Sequence, residues 1–151
     1  MCHLKGRLVL ALALLLSSFA VAPGAIADEW PVVYGDYWEV TGIKLKDGGA
    51  FAYAKFLADE WRKDQDFAKS KGWIKGYKIF INPYARQGEP DLYLVAISER
   101  LPSGAEYEKR DAEYMAWKQK SNEQMQKESG NRVEFREILA GSMLQEVMFR
   151  Q

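Results

Sequence analysis

The stretch "PDLYLVAIS", residues 90–98, predicts a β-strand that is apolar on both of its faces. Successive side chains of a strand point to opposite sides of the sheet. One side carries Leu92, Leu94 and Ala96, and the other carries Tyr93, Val95 and Ile97. A strand with one solvated face alternates apolar and polar residues, and this strand does not. We therefore expect both faces of the surrounding sheet to be covered.

The residues before this strand predict a strand, a helix and another strand. Residues 37–45, "YWEVTGIKL", alternate as a first strand and end at the Asp-Gly-Gly run. Residues 50–71 predict a helix, because apolar residues recur at helical spacing up to Gly72. Residues 77–82 form the second predicted strand. A local turn at 83–90 joins it to the third strand, which predicts an antiparallel hairpin.

The residues after the hairpin predict one long helix and a closing strand. Ser103 and Glu106 have the spacing of a capping box, in which each residue bonds the backbone N–H of the other. The predicted helix spans residues 104–128. Residues 142–149 alternate as the last strand, and we interpret residues 131–141 as irregular.

The resulting order, β-α-β-β-α-β, predicts an α+β fold with a ferredoxin-like subunit. Such a subunit has a four-stranded antiparallel sheet with two helices on one face. For the other face we favour a second copy of the chain, packed sheet to sheet in a twofold homodimer, because this would bury the apolar strand face. The alternative is that an extended N-terminal arm, residues 28–36, folds back over the sheet. Its apolar residues are Trp30, Val32, Val33 and Tyr34.

The first 27 residues predict a secretory signal peptide, so that residues 28–151 form a single mature domain. Lys5 and Arg7 precede an apolar run over residues 8–22, and Ala25 and Ala27 give a cleavage pattern before Asp28. The apolar run is shorter than the ~20 residues that span a bilayer, so we expect cleavage and no stable membrane insertion. The protein would be exported, either to a periplasm or to the medium.

Cleavage would leave the mature chain without cysteine or histidine, since the only examples are Cys2 and His3. This excludes disulfides, thiolate and imidazole catalysis, and histidine-ligated metal or haem sites. We expect no cofactor and no metal. Loss of Lys5 and Arg7 leaves 19 basic and 21 acidic residues, a net charge of −2, which does not favour binding to nucleic acid.

The element order and the doubly apolar "YLVAI" make residues 37–149 resemble the dimeric α/β-barrel superfamily. The resemblance implies that ferredoxin-like subunits pair their sheets face to face, often with a ligand between the sheet and the helices. The superfamily includes cofactor-free monooxygenases, haem-handling enzymes, dehydratases and stress-induced proteins. Many of its enzymes rely on a histidine that this mature chain lacks, so no catalytic residue is transferred.

Aromatic and charged side chains give three candidate ligand contacts. Tyr37, Tyr53 and Trp61 could line a pocket between the sheet and the first helix, or simply fill the core. Asp64 lies four residues after Glu60 on the same helix, as an acid-base or metal pair would, although alternating charges there are also typical of a solvated helix face. Arg86 could meet an anionic ligand from its turn, or lie on a surface loop.

The sequence favours an exported module that binds a small apolar or aromatic molecule, or acts in stress. Two alternatives stay open. One is a cofactor-free enzyme of the dimeric α/β-barrel type acting on a small aromatic substrate. The other is a structural or partner-binding periplasmic protein. The absence of histidine and cysteine makes the enzyme the less favoured of these functions.

Overall fold

The structure is a computed structural model, and it describes residues 29–151. The predicted signal peptide and its cleavage before Asp28 lie outside the described residues. Within them, a four-stranded antiparallel sheet and three helices confirm the predicted α+β class. Among these residues no helix is both long enough and apolar enough to cross a membrane.

The four strands pair in the order β2-β3-β1-β4, and each neighbouring pair is antiparallel. Their bounds are Val32–Leu45 (β1), Gly76–Ile81 (β2), Leu92–Ser98 (β3) and Arg136–Phe149 (β4). The stretch "LYLVAIS" is β3, and β3 is an inner strand paired on both edges. This inner position agrees with a strand that is apolar on both faces.

The three helices fill the connections on either side of the β2–β3 hairpin. The first, α1, runs without a break through an α-helical segment, a π-helical turn and a second α-helical segment. Their bounds are Ala50–Phe56, Leu57–Trp61 and Arg62–Ser70. The second helix, α2, is Gly104–Lys118, and the third, α3, is Asn122–Asn131. The predicted helix 50–71 is therefore confirmed.

The core lies between α1 and one face of the sheet, which we call the helix-covered face. Tyr53 of α1 is only 2% exposed and packs against Ile43 of β1 and Leu92 and Leu94 of β3. The half-buried residues around this cluster are Leu45, Phe56, Leu57, Trp61 and Phe135. Burial of these apolar side chains is the main stabilising contribution that attaches α1 to the sheet.

The opposite side of the sheet, which we call the outer face, is covered only at its centre. Val95 of β3 points to this side and is 2% exposed. Lys78 of β2 is paired with Val95, and its ammonium lies 4.8 Å from the centre of the Trp38 ring, so long side chains from the flanking strands lie over the middle of β3. On the same face, Phe80 of the edge strand β2 and Leu144 of the edge strand β4 are 46% and 54% exposed.

The predicted N-terminal arm is part of the sheet. Residues 32–36 continue β1 and pair with the end of β4, so that Val32 lies opposite Phe149 and Tyr34 lies opposite Val147. The alternative in which the arm folds back over the sheet is wrong. The backbone groups of residues 32–34 bond to β4 instead, in a ribbon that extends past β3.

The prediction of one helix over residues 104–128 is also wrong. The chain leaves the helical conformation at Gln119, where φ is +54°, and a new helix starts after Ser121. Residues 131–141, predicted as irregular, complete α3, form a 3-10 turn at Arg132–Glu134 and begin β4 at Arg136. The predicted closing strand, residues 142–149, is confirmed as the second part of β4.

Candidate functional site

A cavity of about 510 Å3 lies between the helix-covered face, the end of α1 and α2. We call it the aromatic cavity. Its apolar wall includes Trp73, Ile74, Leu101, Tyr107, Tyr114 and Met143. Glu39, Arg110 and Asp111 add charged groups to the lining. This volume and this mixture of apolar walls with a few polar groups are typical of small-molecule sites.

Aromatic contacts hold α2 against the end of α1 and so form one side of the aromatic cavity. Phe67 of α1 stacks on Trp117 of α2 with ring centres 4.3 Å apart and an angle of 15°. Trp73, just beyond α1, meets Phe67 edge-on at 5.3 Å. Tyr114 also contacts Phe67, at 6.2 Å. Offset and edge-on pairs of this kind add to the stabilisation from burial alone.

Two arginines and one glutamate, the Glu106 cluster, lie at the rim of the aromatic cavity. Arg100 donates two hydrogen bonds to the Glu106 carboxylate, at 2.6 and 2.8 Å, and Arg110 donates another. Hydrogen bonds from Arg100 and Arg110 lower the pKa of Glu106 to about 2. The Arg110 guanidinium also lies 5.7 Å from the centre of the Trp73 ring. The cluster therefore fixes Arg110 beside an aromatic wall.

The start of α2 is formed by half of the predicted capping box. The Glu106 backbone N–H donates to Ser103 Oγ at 3.3 Å, as predicted. The reciprocal bond is not formed, because the Glu106 carboxylate binds Arg100 and Arg110. A charged donor is a stronger partner for a carboxylate than a backbone N–H, which explains the difference.

A second polar group lies behind Tyr114, between α1 and α2. Asp64 of α1 forms an ion pair with Lys118 of α2. Burial raises the pKa of Tyr114, and the charge of Asp64 raises it further. The Tyr114 hydroxyl therefore stays protonated at neutral pH.

The five residues predicted as ligand contacts lie in separate surroundings. Tyr53 is in the core, and Trp61 contacts Tyr77 edge-on at 5.3 Å beside a cavity of about 120 Å3. Asp64 borders a cavity of about 50 Å3. Tyr37 is half-buried in β1, and Arg86 is exposed in a turn where its backbone N–H donates to Glu89. The aromatic cavity is lined by a different set of residues.

The sequence contains a signal for this other set. Tyr107, Arg110 and Tyr114 are spaced three and four residues apart, so a helix places them on one face. Trp73 has no comparable signal, because it follows α1 in a short connection and meets α2 only through the tertiary fold.

Within residues 29–151, no group of three or more Asp or Glu side chains is arranged to hold a metal ion. A scan against models of known protein families, a search of curated proteins and a search of solved structures found no match for this chain.

Proposed function

We propose that the chain is an exported module that binds a small apolar or aromatic molecule in the aromatic cavity. The observation that carries this proposal is the cavity of about 510 Å3 between the sheet and α2. Trp73, Tyr107 and Tyr114 offer ring faces to an aromatic ligand. Arg110 and Asp111 offer one donor and one acceptor that can orient a polar substituent of that ligand.

The test uses two neutral aromatic probes, phenol and naphthol, in isothermal titrations of the mature protein. Ala68 of α1 lines the aromatic cavity, so Ala68→Leu places extra volume inside it without changing any charge. Ala112 is exposed on α2, and Ala112→Leu is the matched control. We expect saturable binding to the unmodified chain and to Ala112→Leu, with loss of binding in Ala68→Leu. Equal binding by both variants, or no binding by the unmodified chain, would contradict the proposal.

Native mass spectrometry of protein purified from an exporting host tests the remaining parts of the proposal. Export predicts a mature chain that begins at Asp28, and ligand binding predicts a retained small mass. A mass that still includes Met1 or Cys2 would overturn the predicted cleavage. The same spectrum also reports the number of chains in the assembly.

The ferredoxin-like subunit and the sheet-to-sheet homodimer belong to the same proposal. The antiparallel order β2-β3-β1-β4 and the α1 connection between β1 and β2 support a ferredoxin-like subunit. The exposed Phe80 and Leu144 at the margins of the outer face support its pairing with a second copy. A twofold axis would place the same apolar residues on both sides of the interface.

Two substitutions on the same strand test the homodimer. Leu144 is 54% exposed on the outer face, and Ile138 is 52% exposed on the helix-covered side of β4. We expect light scattering to give twice the mature mass for the unmodified chain and for Ile138→Lys. Leu144→Lys would place a charge in the interface and give a monomer. A monomeric unmodified chain would remove the homodimer from the proposal and leave the aromatic cavity unaffected.

A further inference from the structure

Arg136, at the start of β4, is a buried cation whose neighbours include no acidic partner. It is 8% exposed. Within residues 29–151, none of the salt bridges includes Arg136. Its Nη2 donates to the hydroxyl of Ser129 at 3.3 Å and to the carbonyl of Ser129 at 3.5 Å. Two long bonds to neutral groups are weak compensation for removing a guanidinium from water.

A second arginine lies close to this buried cation. The Arg132 guanidinium lies over the Phe56 ring, 4.4 Å from its centre, and none of the salt bridges of the described chain includes it. Its buried Nε–H has no acceptor among residues 29–151. Burial lowers the pKa of Arg136, and the charge of Arg132 lowers it further. Two positive groups that repel one another in a partly dry environment would both be stabilised by an anion between them.

A hydroxyl group lies beside the buried guanidinium. Arg136 Nη2 donates to the Ser129 hydroxyl oxygen at 3.3 Å. Tyr53 of the core is 2% exposed, and burial raises its pKa to about 12 although the charges of Arg136 and Arg132 act in the opposite direction. The surroundings of Arg136 therefore offer neutral groups and no counter-charge, and a guanidinium with a hydroxyl beside it suits an oxyanion.

A cavity of about 410 Å3 lies between α1 and α3 and reaches Arg132 and the residue before Arg136. Arg132 and Phe135 line it on one side. Its acidic residues are Asp59, Glu60 and Glu128. Glu128 is bound by Lys120 at 2.7 Å, so its charge is already compensated. Asp59 and Glu60 belong to the π-helical turn of α1 and form the wall on that side.

We propose that Arg132, Arg136 and Ser129 form a binding site for a small oxyanion of the carboxylate or phosphate class. The planar fork of a guanidinium can bind two oxygens of such a group at once. The cavity that Arg132 lines shares no lining residue with the aromatic cavity. We therefore expect oxyanion binding to leave the binding of neutral aromatic molecules unchanged.

The test measures thermal unfolding of the mature protein in phosphate, in acetate and in chloride at equal ionic strength. Specific binding to the folded state raises Tm with anion concentration, whereas screening alone acts equally in all three salts. We expect phosphate or acetate to raise Tm above its value in chloride. Arg136→Met should abolish this difference, and Arg62→Met, which removes an exposed arginine of α1, should retain it.

The same variants distinguish an oxyanion site from a purely structural arginine. Methionine fills a similar volume without a buried charge, so Arg136→Met should unfold in chloride at the same Tm as the unmodified chain or at a higher one. A fall in Tm in chloride together with an unchanged anion response would overturn the proposal. So would equal Tm values of the unmodified chain in all three salts.

A second measurement applies if Arg136→Met does not fold. Arg132→Met and Ser129→Ala each remove one proposed ligand and leave Arg136 in place. Isothermal titration with phosphate and with acetate should then show at least tenfold weaker binding to Arg132→Met and a smaller loss for Ser129→Ala. Affinities equal to that of the unmodified chain in both variants would overturn the site. Phenol binding should be unchanged in both variants. A wrong proposal for the oxyanion site can therefore be distinguished from a wrong proposal for the aromatic cavity.

Discussion

Two arginine clusters, one at the start of α2 and one between α1 and α3, differ in how their charges are compensated. In the Glu106 cluster, Arg100 and Arg110 share one carboxylate through three hydrogen bonds. In the other, Arg132 and Arg136 belong to none of the salt bridges of residues 29–151. In the Glu106 cluster, hydrogen bonds from the two arginines lower the pKa of Glu106 to about 2. In the other cluster, burial is the main cause of the lowered pKa of Arg136.

The difference teaches that the same residue type serves two purposes in one small chain. The charges of Arg100 and Arg110 are compensated by Glu106, which fixes the rim of the aromatic cavity. The buried Nε–H of Arg110 has no acceptor among residues 29–151 and stays free for a ligand. Arg136 is more deeply buried and has only neutral partners in the described chain, at 3.3 and 3.5 Å. A buried charge without a counter-charge is costly to stability, so the proposed oxyanion would compensate Arg136 as Glu106 compensates Arg100 and Arg110.

The largest expected effect comes from the turn that brings the start of β4 against α1. Gly49 is buried, and a Cβ atom at this position would lie 2.3 Å from the Phe135 carbonyl oxygen. The adjacent strands are held there by the Lys46 N–H, which donates to the same oxygen at 3.1 Å. Gly49→Ala must displace backbone next to Arg136, so we expect it to lower the free energy of unfolding by about 2–3 kcal/mol. Denaturant titration measures this change.

Gly130→Ala is the matched control for that substitution. Gly130 is exposed in α3, and a Cβ atom there would meet nothing within 4 Å. Alanine is the better helix former, so this variant should be more stable by about 0.5–1 kcal/mol. Equal effects of the two substitutions would show that β4 does not approach Gly49 as closely as described, and would weaken the position assigned to Arg136.

The next effect distinguishes the two arginine clusters directly. The Arg110 side chain is 17% exposed, binds Glu106 and lies over Trp73. Arg110→Met should therefore lower the free energy of unfolding by about 1–2 kcal/mol, because a charge-assisted hydrogen bond is lost. Arg136→Met should have no such cost. If Arg136→Met proved the more destabilising of the two, the distinction between a paired and an unpaired cluster would fail.

Most of the sheet could be predicted from the sequence because its signals are local. Alternation predicted strands 37–45 and 142–149, and short segments bounded by turn residues predicted strands 77–82 and 90–98. Strands are found at all four places. The missing parts, residues 32–36 and 136–141, are strand only because β1 and β4 pair with each other across most of the chain. Pairing between the two ends of a chain leaves no local pattern.

The break between α2 and α3, the aromatic cavity and the burial of Arg136 were not predicted from the sequence. The second capping box, Ser121 with Gln124, has a recognisable spacing that we overlooked. The aromatic cavity combines residues of β1, β3, α1 and α2 with Trp73, and only the α2 residues share a periodic pattern. Arg136 gave no signal, since a charged residue within a segment interpreted as irregular, residues 131–141, predicts exposure. Its burial comes from the approach of α1 and α3.

A smaller effect is expected from the cap that begins α3, the helix that carries Ser129. The Gln124 N–H donates to Ser121 Oγ at 3.2 Å, and the Ser121 N–H donates to Gln124 Oε1 at 2.8 Å. Ser121→Ala should cost about 1 kcal/mol. Ser103→Ala removes the equivalent bond from the Glu106 N–H and should cost a similar amount. Ser121→Ala keeps the Ser121 N–H, so the second bond of the box is tested by Gln124→Ala, which removes its acceptor and should cost less than Ser121→Ala. No loss for Gln124→Ala in chemical denaturation would mean that the second bond adds nothing.

The smallest effect concerns the pH dependence of the paired cluster. Hydrogen bonds from Arg100 and Arg110 lower the pKa of Glu106 from 4.5 to about 2 in the folded state. A carboxyl group with a lowered pKa stabilises the fold above its unfolded pKa, and the stabilisation is lost as the pH falls towards the folded value. The Tm difference between the unmodified chain and Glu106→Gln should therefore be constant near pH 7 and decrease between pH 4.5 and about 2.

Arg136→Met is the control for this pH dependence. Between pH 4.5 and about 2 its Tm should change in the same way as the Tm of the unmodified chain, because no carboxylate of residues 29–151 is paired with Arg136. A Tm difference for Glu106→Gln that stays constant down to pH 2 would mean that Glu106 is not held by the two arginines in solution. The charges of Arg100 and Arg110 would then not be compensated in the way that distinguishes them from Arg136.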